Sequence, residues 1–246
     1  MERMEDGIIE ESLERELKKE ALAIYAEIMK KPEVSEAFAI LDRLPAEKLR
    51  YHNRAHTEDV VMETILFALA DGADKETIEQ QAISAAWHDV GFVEQYQKNE
   101  PNAVRLFEQS EAYKTLSEEA RAEIIANILD TQVQVDKDGK PSLVHDRSNN
   151  FYILDADVSN FGRKDFFEKR MMIAEELKID LSNLAARKGF YGFALNLLKN
   201  HDWETNGARM LRQSQKEKNI IQAEEEYADL LAQEEKEEKK EEELMY

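Results

Sequence analysis

Apolar residues recur along most of this 246-residue chain at intervals of three and four, the repeat of an α-helix with one buried face. In "IIEESLERELKKEALAIYAEIMK" the stripe is Ile9, Leu13, Leu17, Ala21, Ile24 and Ile28. A shorter helix is expected over "VSEAFAILDRL". The segment "YHNRAHTEDVVMETILFALADGAD" opens with the capping candidates Asn53 and Thr57 and carries Val60, Val61, Ile65, Leu66 and Leu69 at helical spacing. Gly72 is its stop. A second helix, "KETIEQQAISAAWHDVG", ends at Gly91, and Phe92 to Pro101 reads as a loop. Further helices are expected at 102–112, 117–130 (with Ile124, Ile125, Ile128 and Leu129 inward), 149–159, 164–178, 181–200 and 204–232. The turn cluster "VDKDGKPS" reads as a loop and not a boundary, because the helical pattern resumes after it unchanged. The pattern therefore predicts one all-α domain over 1–220, followed by an acidic, low-complexity helical tail over 221–246.

Composition agrees with this and narrows the chemistry. Eight Gly and four Pro are too few punctuators for a many-turned β-sandwich, while 42% hydrophobic residues suffice for a core. With no Cys, disulfides, thiolate catalysis and sulfur-ligated metals are excluded, so any metal must sit on His, Asp, Glu or carbonyl oxygens. The net charge of −20 argues against DNA or an anionic membrane as partner. Residues 221–246 contribute −8 of it, from 11 acids against 3 bases. No apolar run approaches the ~20 residues that span a bilayer. The N-terminus is acidic and lacks a signal-peptide core. A cytoplasmic protein is the expectation, with homo-oligomerisation left open.

Three of the five histidines precede an aspartate: His88-Asp89, His145-Asp146 and His201-Asp202. Only the first ends an apolar helix, where an Asp opposes the helix dipole and is costly beside a core. A divalent cation would compensate. The short "DGADKET" connection makes the flanking helices antiparallel and brings His56 beside His88. Downstream, "FYILDADVSNFG" places Asp155 and Asp157 in an apolar run, where unpaired carboxylates would again be costly. A set of His, His-Asp and Asp supplies two neutral and two anionic ligands and leaves positions for water and substrate. The pairs at 145 and 201 read as structural, a surface cap or turn for the first and Asp202 as an N-cap for the second. Lys188, Arg209 and Arg212 read as a solvated helix face at least as readily as a phosphate-binding set. Phe190, Tyr191, Phe193 and Leu197 read as core.

The ordered blocks "YHNRAHTEDVV", "AAWHDVGF", "QKNEPNA" and "ILDADVSNFG" resemble the HD-domain superfamily of metal-dependent phosphohydrolases, over about residues 50–215. The resemblance implies an HD-type helical bundle, here with a long charged C-terminal helix, and a divalent metal on His56, His88, Asp89 and Asp157. Asp157 is preferred because the final Asp follows an Ala, which leaves Asp155 a supporting or structural carboxylate. By the same resemblance His52 is an outer or phosphate-facing group, and Asn99 and Glu100 face the cavity. Some relatives carry a further histidine after a Thr; here Thr131 is followed by Gln132 and Gln134, which favours one metal over two. The metal could be Mn, Mg, Co, Ni, Fe or Zn.

The function expected is hydrolysis of a small phosphorylated substrate, a nucleotide or phosphate monoester, by a metal-activated water. Glu100 is the expected proton-transfer group, with His52 and Asn99 beside it. The alternative is a non-enzymatic metal- or nucleotide-binding regulatory module that acts through its acidic C-terminal helix.

Overall fold

The structure is a computed structural model, and it describes residues 2–43, 49–135, 141–143 and 151–244. The pair His145-Asp146 and the turn 136–140 lie outside the described residues. The fold is all-α. Helices α1 (Glu2–Ile28), α2 (Pro32–Leu41), α3 (Arg54–Ala70), α4 (Lys75–Trp87), α5 (Asn99–Glu108), α6 (Glu111–Thr115) and α7 (Glu118–Asp130) come first. After them run α8 (Tyr152–Asp157), α9 (Phe166–Glu176), α10 (Leu184–Asn200) and α11 (Asn206–Leu244). Short 3-10 turns cover Val90–Val93, Tyr96–Lys98 and Ser159–Gly162. The strands β1 (Val133–Val135) and β2 (Pro141–Leu143) pair across the predicted turn, an addition to the helical pattern.

The chain forms two compact units. The first holds residues 1–134, 142–159 and 203–211. Its centre is α3, which packs against α4, α8 and α1, while α4 also packs against α7, α2 and α8. The α3–α4 hairpin follows from local chemistry. Asn53 caps α3 by accepting from the Ala55 and His56 amides, and Asp74 caps α4 by accepting from Thr77. Between them Gly72 adopts a φ of 71°, the left-handed conformation that ends a helix and costs Gly no Cβ clash. The core includes Val60, Val61, Ile65, Leu66, Phe67, Ala82, Trp87, Phe107, Ile124 and Ile128, each nearly or fully buried.

Two details depart from the helical-stripe reading. Of the four residues expected inward on α7, Ile124 and Ile128 are buried, Ile125 is half-buried and Leu129 is 41% exposed. The inward place is taken by Asn127, whose amide donates to Ser84 Oγ at 3.0 Å. On α1, Ala21 and Ile28 are buried and Leu17 and Ile24 half-buried; the side chains of Ile9 and Leu13 lie outside the described residues.

The second unit holds residues 135–141, 160–202 and 212–246. Here α9 and α10 are tied to α11 by long polar side chains. Arg170 pairs with Glu226 at 2.5 Å and lies 3.8 Å over the Tyr191 ring. Lys188 pairs with Glu234, and Lys199 with Glu224 at 2.5 Å. Phe190 and Leu198 are buried and Tyr191 and Leu197 half-buried, but Phe193 is 49% exposed and so is not core. Within 221–246, Ala223 and Leu230 are buried. Among the described residues no helix is long and apolar enough to cross a membrane.

Candidate metal centre

All four predicted ligands belong to the first unit, and three helix ends deliver them. His56 lies in the first turn of α3, behind the Asn53 cap. His88 is the C-cap of α4, still helical at φ −59° and ψ −35°, whereas Asp89 has left the helix at φ −106° and ψ 3°. That break lets neighbours that would diverge by roughly 100° on a helix turn toward one point. Asp157 is the last residue of α8. The end of α4 is held in turn by Trp87, fully buried, whose Nε1 donates to the Glu33 carbonyl at 2.9 Å.

The four side chains converge. His56 Nε2 lies 3.0 Å from Asp157 Oδ1 and 3.5 Å from Asp89 Oδ2. His88 Nε2 lies 3.1 Å from Asp89 Oδ2 and 3.5 Å from Asp157 Oδ1. His56, His88 and Asp89 are buried, and the Asp157 side chain is 24% exposed, which leaves the cluster open on one side. His56, His88 and Asp157 each offer one ligand atom within 4.8 Å of the other two, and Asp89 Oδ2 completes the set at the distances above.

These spacings fit a divalent cation. Ligand atoms about 2.1 Å from a common ion lie about 3.0 Å apart on an octahedral edge and about 3.4 Å apart on a tetrahedral one. His88 Nδ1 donates to the Ala85 carbonyl at 2.7 Å, so Nε2 is the ring nitrogen turned to the cluster. His88 Nε2 and Asp89 Oδ2 are buried with no hydrogen-bond partner. An imidazole nitrogen and a carboxylate oxygen buried 3.1 Å apart with neither hydrogen-bonded are costly unless a ligand joins them. Two neutral imidazoles and two carboxylates also match a 2+ charge.

The electrostatics point the same way. Burial alone would lower the His88 pKa, but Asp89 and Asp157 outweigh it and hold it well above the ordinary value. Burial would raise the Asp157 carboxyl, but its hydrogen bond with His56 and the nearby charge of His88 hold it well below the carboxylate range, and burial of Asp89 is likewise outweighed by the His88 charge. Concentrated negative charge here attracts a cation, whether proton or metal.

The remaining predicted residues surround this centre. Asn99 is buried at the start of α5 and donates to Asp89 Oδ1 at 2.9 Å and to the His88 carbonyl at 3.1 Å. It thus braces the carboxylate of Asp89 and the turn that ends α4. Glu100, next on α5, is half-buried; burial first, then the Asp89 and Asp157 charges, raise its pKa. His52 is half-buried, stacks on Phe92 at 4.7 Å, and lies edge-on to Tyr51 at 4.9 Å and His56 at 5.7 Å. Its charge contributes to lowering Asp89. Because 90–93 and 96–98 are 3-10 turns and α5 begins at Asn99, most of the segment read as a loop is ordered scaffold for the site.

Asp155 does not join the cluster. It is buried and accepts from the Glu204 amide at 3.0 Å, the Thr205 amide at 2.8 Å and the Thr205 hydroxyl at 2.7 Å, tying the start of α11 to α8. Thr205 Oγ1 accepts from the Ala208 amide and caps α11, the role expected of Asp202. His201 belongs to the second unit and accepts from buried Lys216, which also donates to the His201 carbonyl. Of the basic residues, Lys188 is paired with Glu234 and Arg209 donates to the Trp203 carbonyl at 2.5 Å, while Arg212 is buried. The aromatic wall of Tyr51, Phe92 and Tyr96 beside His52 went unread in the sequence, where the signal is only that Tyr51 precedes His52 and Phe92 closes the "AAWHDVGF" block. Comparison with family models, with curated proteins and with solved structures finds no match to this chain.

Proposed function

We propose that the chain is a metal-dependent phosphohydrolase of the HD-domain type, acting on a small phosphorylated substrate such as a nucleotide or phosphate monoester. The observation that carries this reading is the buried pair of His88 Nε2 and Asp89 Oδ2, neither of them hydrogen-bonded, set against His56 and Asp157 at ligand spacing. A divalent ion held there supplies Lewis acidity toward water and phosphoryl oxygens. His56, His88, Asp89 and Asp157 hold it, and the exposed side of Asp157 is where substrate enters. Glu100 exchanges the proton of the attacking water, because burial and two neighbouring carboxylates let it keep a proton to higher pH than an ordinary Glu. His52, fixed by the Phe92 ring, faces the substrate side, and Asn99 steadies Asp89.

Elemental analysis of the purified protein, followed by a nucleotide and phosphoester panel with Mn, Mg, Co, Ni, Fe(II) and Zn, tests the reading. His88→Ala or Asp89→Ala is expected to abolish metal-dependent turnover with far-UV helicity retained, and full activity in either refutes the assignment. Glu100→Gln is expected to keep metal binding and to lose about 10²-fold or more in kcat. Ligand binding without turnover under every condition would favour a regulatory module over an enzyme.

A further inference from the structure

We propose that Asn99, admitted by the bare Cα of Gly91, fixes which oxygen of Asp89 enters the His56–His88–Asp157 cluster and so sets the affinity of that cluster for a divalent cation. This rests on the metal reading above and assigns two residues a positioning role within it.

Asn99 is the first residue of α5, yet its side chain does not cap that helix; the cap position is Lys98, which makes no side-chain cap bond. Its amide nitrogen reaches ten and eleven residues back, to Asp89 Oδ1 and the His88 carbonyl. Both partners are acceptors, so only the NH2 end of the amide can face them, and the orientation is set by chemistry. Asn99 Oδ1 is left buried with no hydrogen-bond partner. The fold carries that cost to keep both donors on the turn that ends α4.

The consequence falls on Asp89. With Oδ1 occupied by Asn99, Oδ2 alone remains to face His56 and His88 at 3.5 and 3.1 Å. Asp89 is thereby presented as a one-oxygen ligand.

Gly91 makes the reach possible. A Cβ there would lie 1.9 Å from the Asn99 carbonyl oxygen, 2.7 Å from its carbonyl carbon and 2.7 Å from the Ala103 amide nitrogen. All three are backbone atoms of α5 and none can swing aside. Any side chain at 91 must push the first turn of α5 away and break the grip of Asn99 on Asp89.

The test is Mn2+ titration calorimetry on the full chain, with the EPR line shape of bound Mn2+ and the Tm of metal-free protein measured alongside. Asn99→Leu keeps the γ-branched shape and removes both donors. It is expected to weaken Mn2+ binding 10- to 100-fold, the range for loss of a group that orients a ligand, and to alter the EPR line shape. Gly91→Ala is expected to weaken binding comparably, and in the Asn99→Leu background to add little, because it acts through Asn99. If Gly91→Ala does not fold, Asn99→Leu alone decides. Asn99→Leu that lowers the metal-free Tm but binds Mn2+ as tightly as wild type, with an unchanged spectrum, overturns the inference and leaves the metal reading intact. Wild-type protein that binds no Mn2+ overturns both.

Discussion

Asp155 and Asp157 stand two positions apart in one apolar run, yet their partners send them to different tasks. Asp157 ends α8 facing two imidazoles, which hold it ionised. Asp155 faces the amides of Glu204 and Thr205, and burial pushes its carboxyl up to about 6 despite those bonds. His88 and His201 divide similarly. His88 sits between carboxylates and is drawn toward the charged form, whereas burial and then the Lys216 ammonium push His201 down to about 3. A depressed folded-state pKa means that the unfolded chain takes up the proton first, from about 6.5 downward. The stability contributed by neutral His201 is therefore present above that value and is lost as pH falls toward 3. Each pH unit lost inside the window costs up to about 1.4 kcal/mol. Urea unfolding at pH 7, 6 and 5 should show wild type losing stability more steeply than His201→Gln, which keeps an acceptor for Lys216 but does not titrate. Parallel slopes would remove His201 from the account.

At the scale of elements, the site is made from helix ends, and the strength of each end is local chemistry. Asn53 fixes the entry to α3 by accepting from Ala55 at 2.9 Å and His56 at 3.4 Å, and it donates back to the Arg50 carbonyl at 2.9 Å. Asn53→Ala should cost about 1 kcal/mol of stability in chemical denaturation, as loss of an N-cap does. It should also weaken Mn2+ binding, because the capped turn carries His56. An unchanged denaturation midpoint would show that the cap is dispensable. The α3–α4 hairpin and its stop at Gly72 were legible because capping residues and a short connection act within a few positions. The scaffold at 90–99 was not legible. It lacks helical periodicity, and its order comes from contacts with α5 and α2 that no local pattern encodes.

At the scale of the whole molecule, charge is spread unevenly along α11. Its segment up to Glu234 is engaged, through buried Ala223 and Leu230 and through the Glu224, Glu226 and Glu234 ion pairs, while residues 235–240 are exposed. Truncation after Glu235 should leave the Tm within about 1 °C of wild type, because exposed residues contribute little. Truncation after Ile220 removes the buried apolar residues and all three ion pairs, and should lower the Tm by several degrees. Differential scanning calorimetry of the two truncations separates these cases, and equal Tm values would show that 221–235 does not stabilise the fold.

The sequence by itself determined the all-α class, the helix that ends in His88-Asp89, the antiparallel partner that carries His56, and the exclusion of sulfur ligands. These follow from periodicity, capping and composition, which act over short range. Residue chemistry also left two candidate carboxylates, Asp155 and Asp157, and only family resemblance chose between them. The tertiary structure decided what depends on non-local packing: that Asp155 braces α11, that Oδ2 of Asp89 is the oxygen turned inward, and that Asn99 holds it there. A one-dimensional pattern says which residues are costly to bury, and only the packed molecule shows which partner removes the cost.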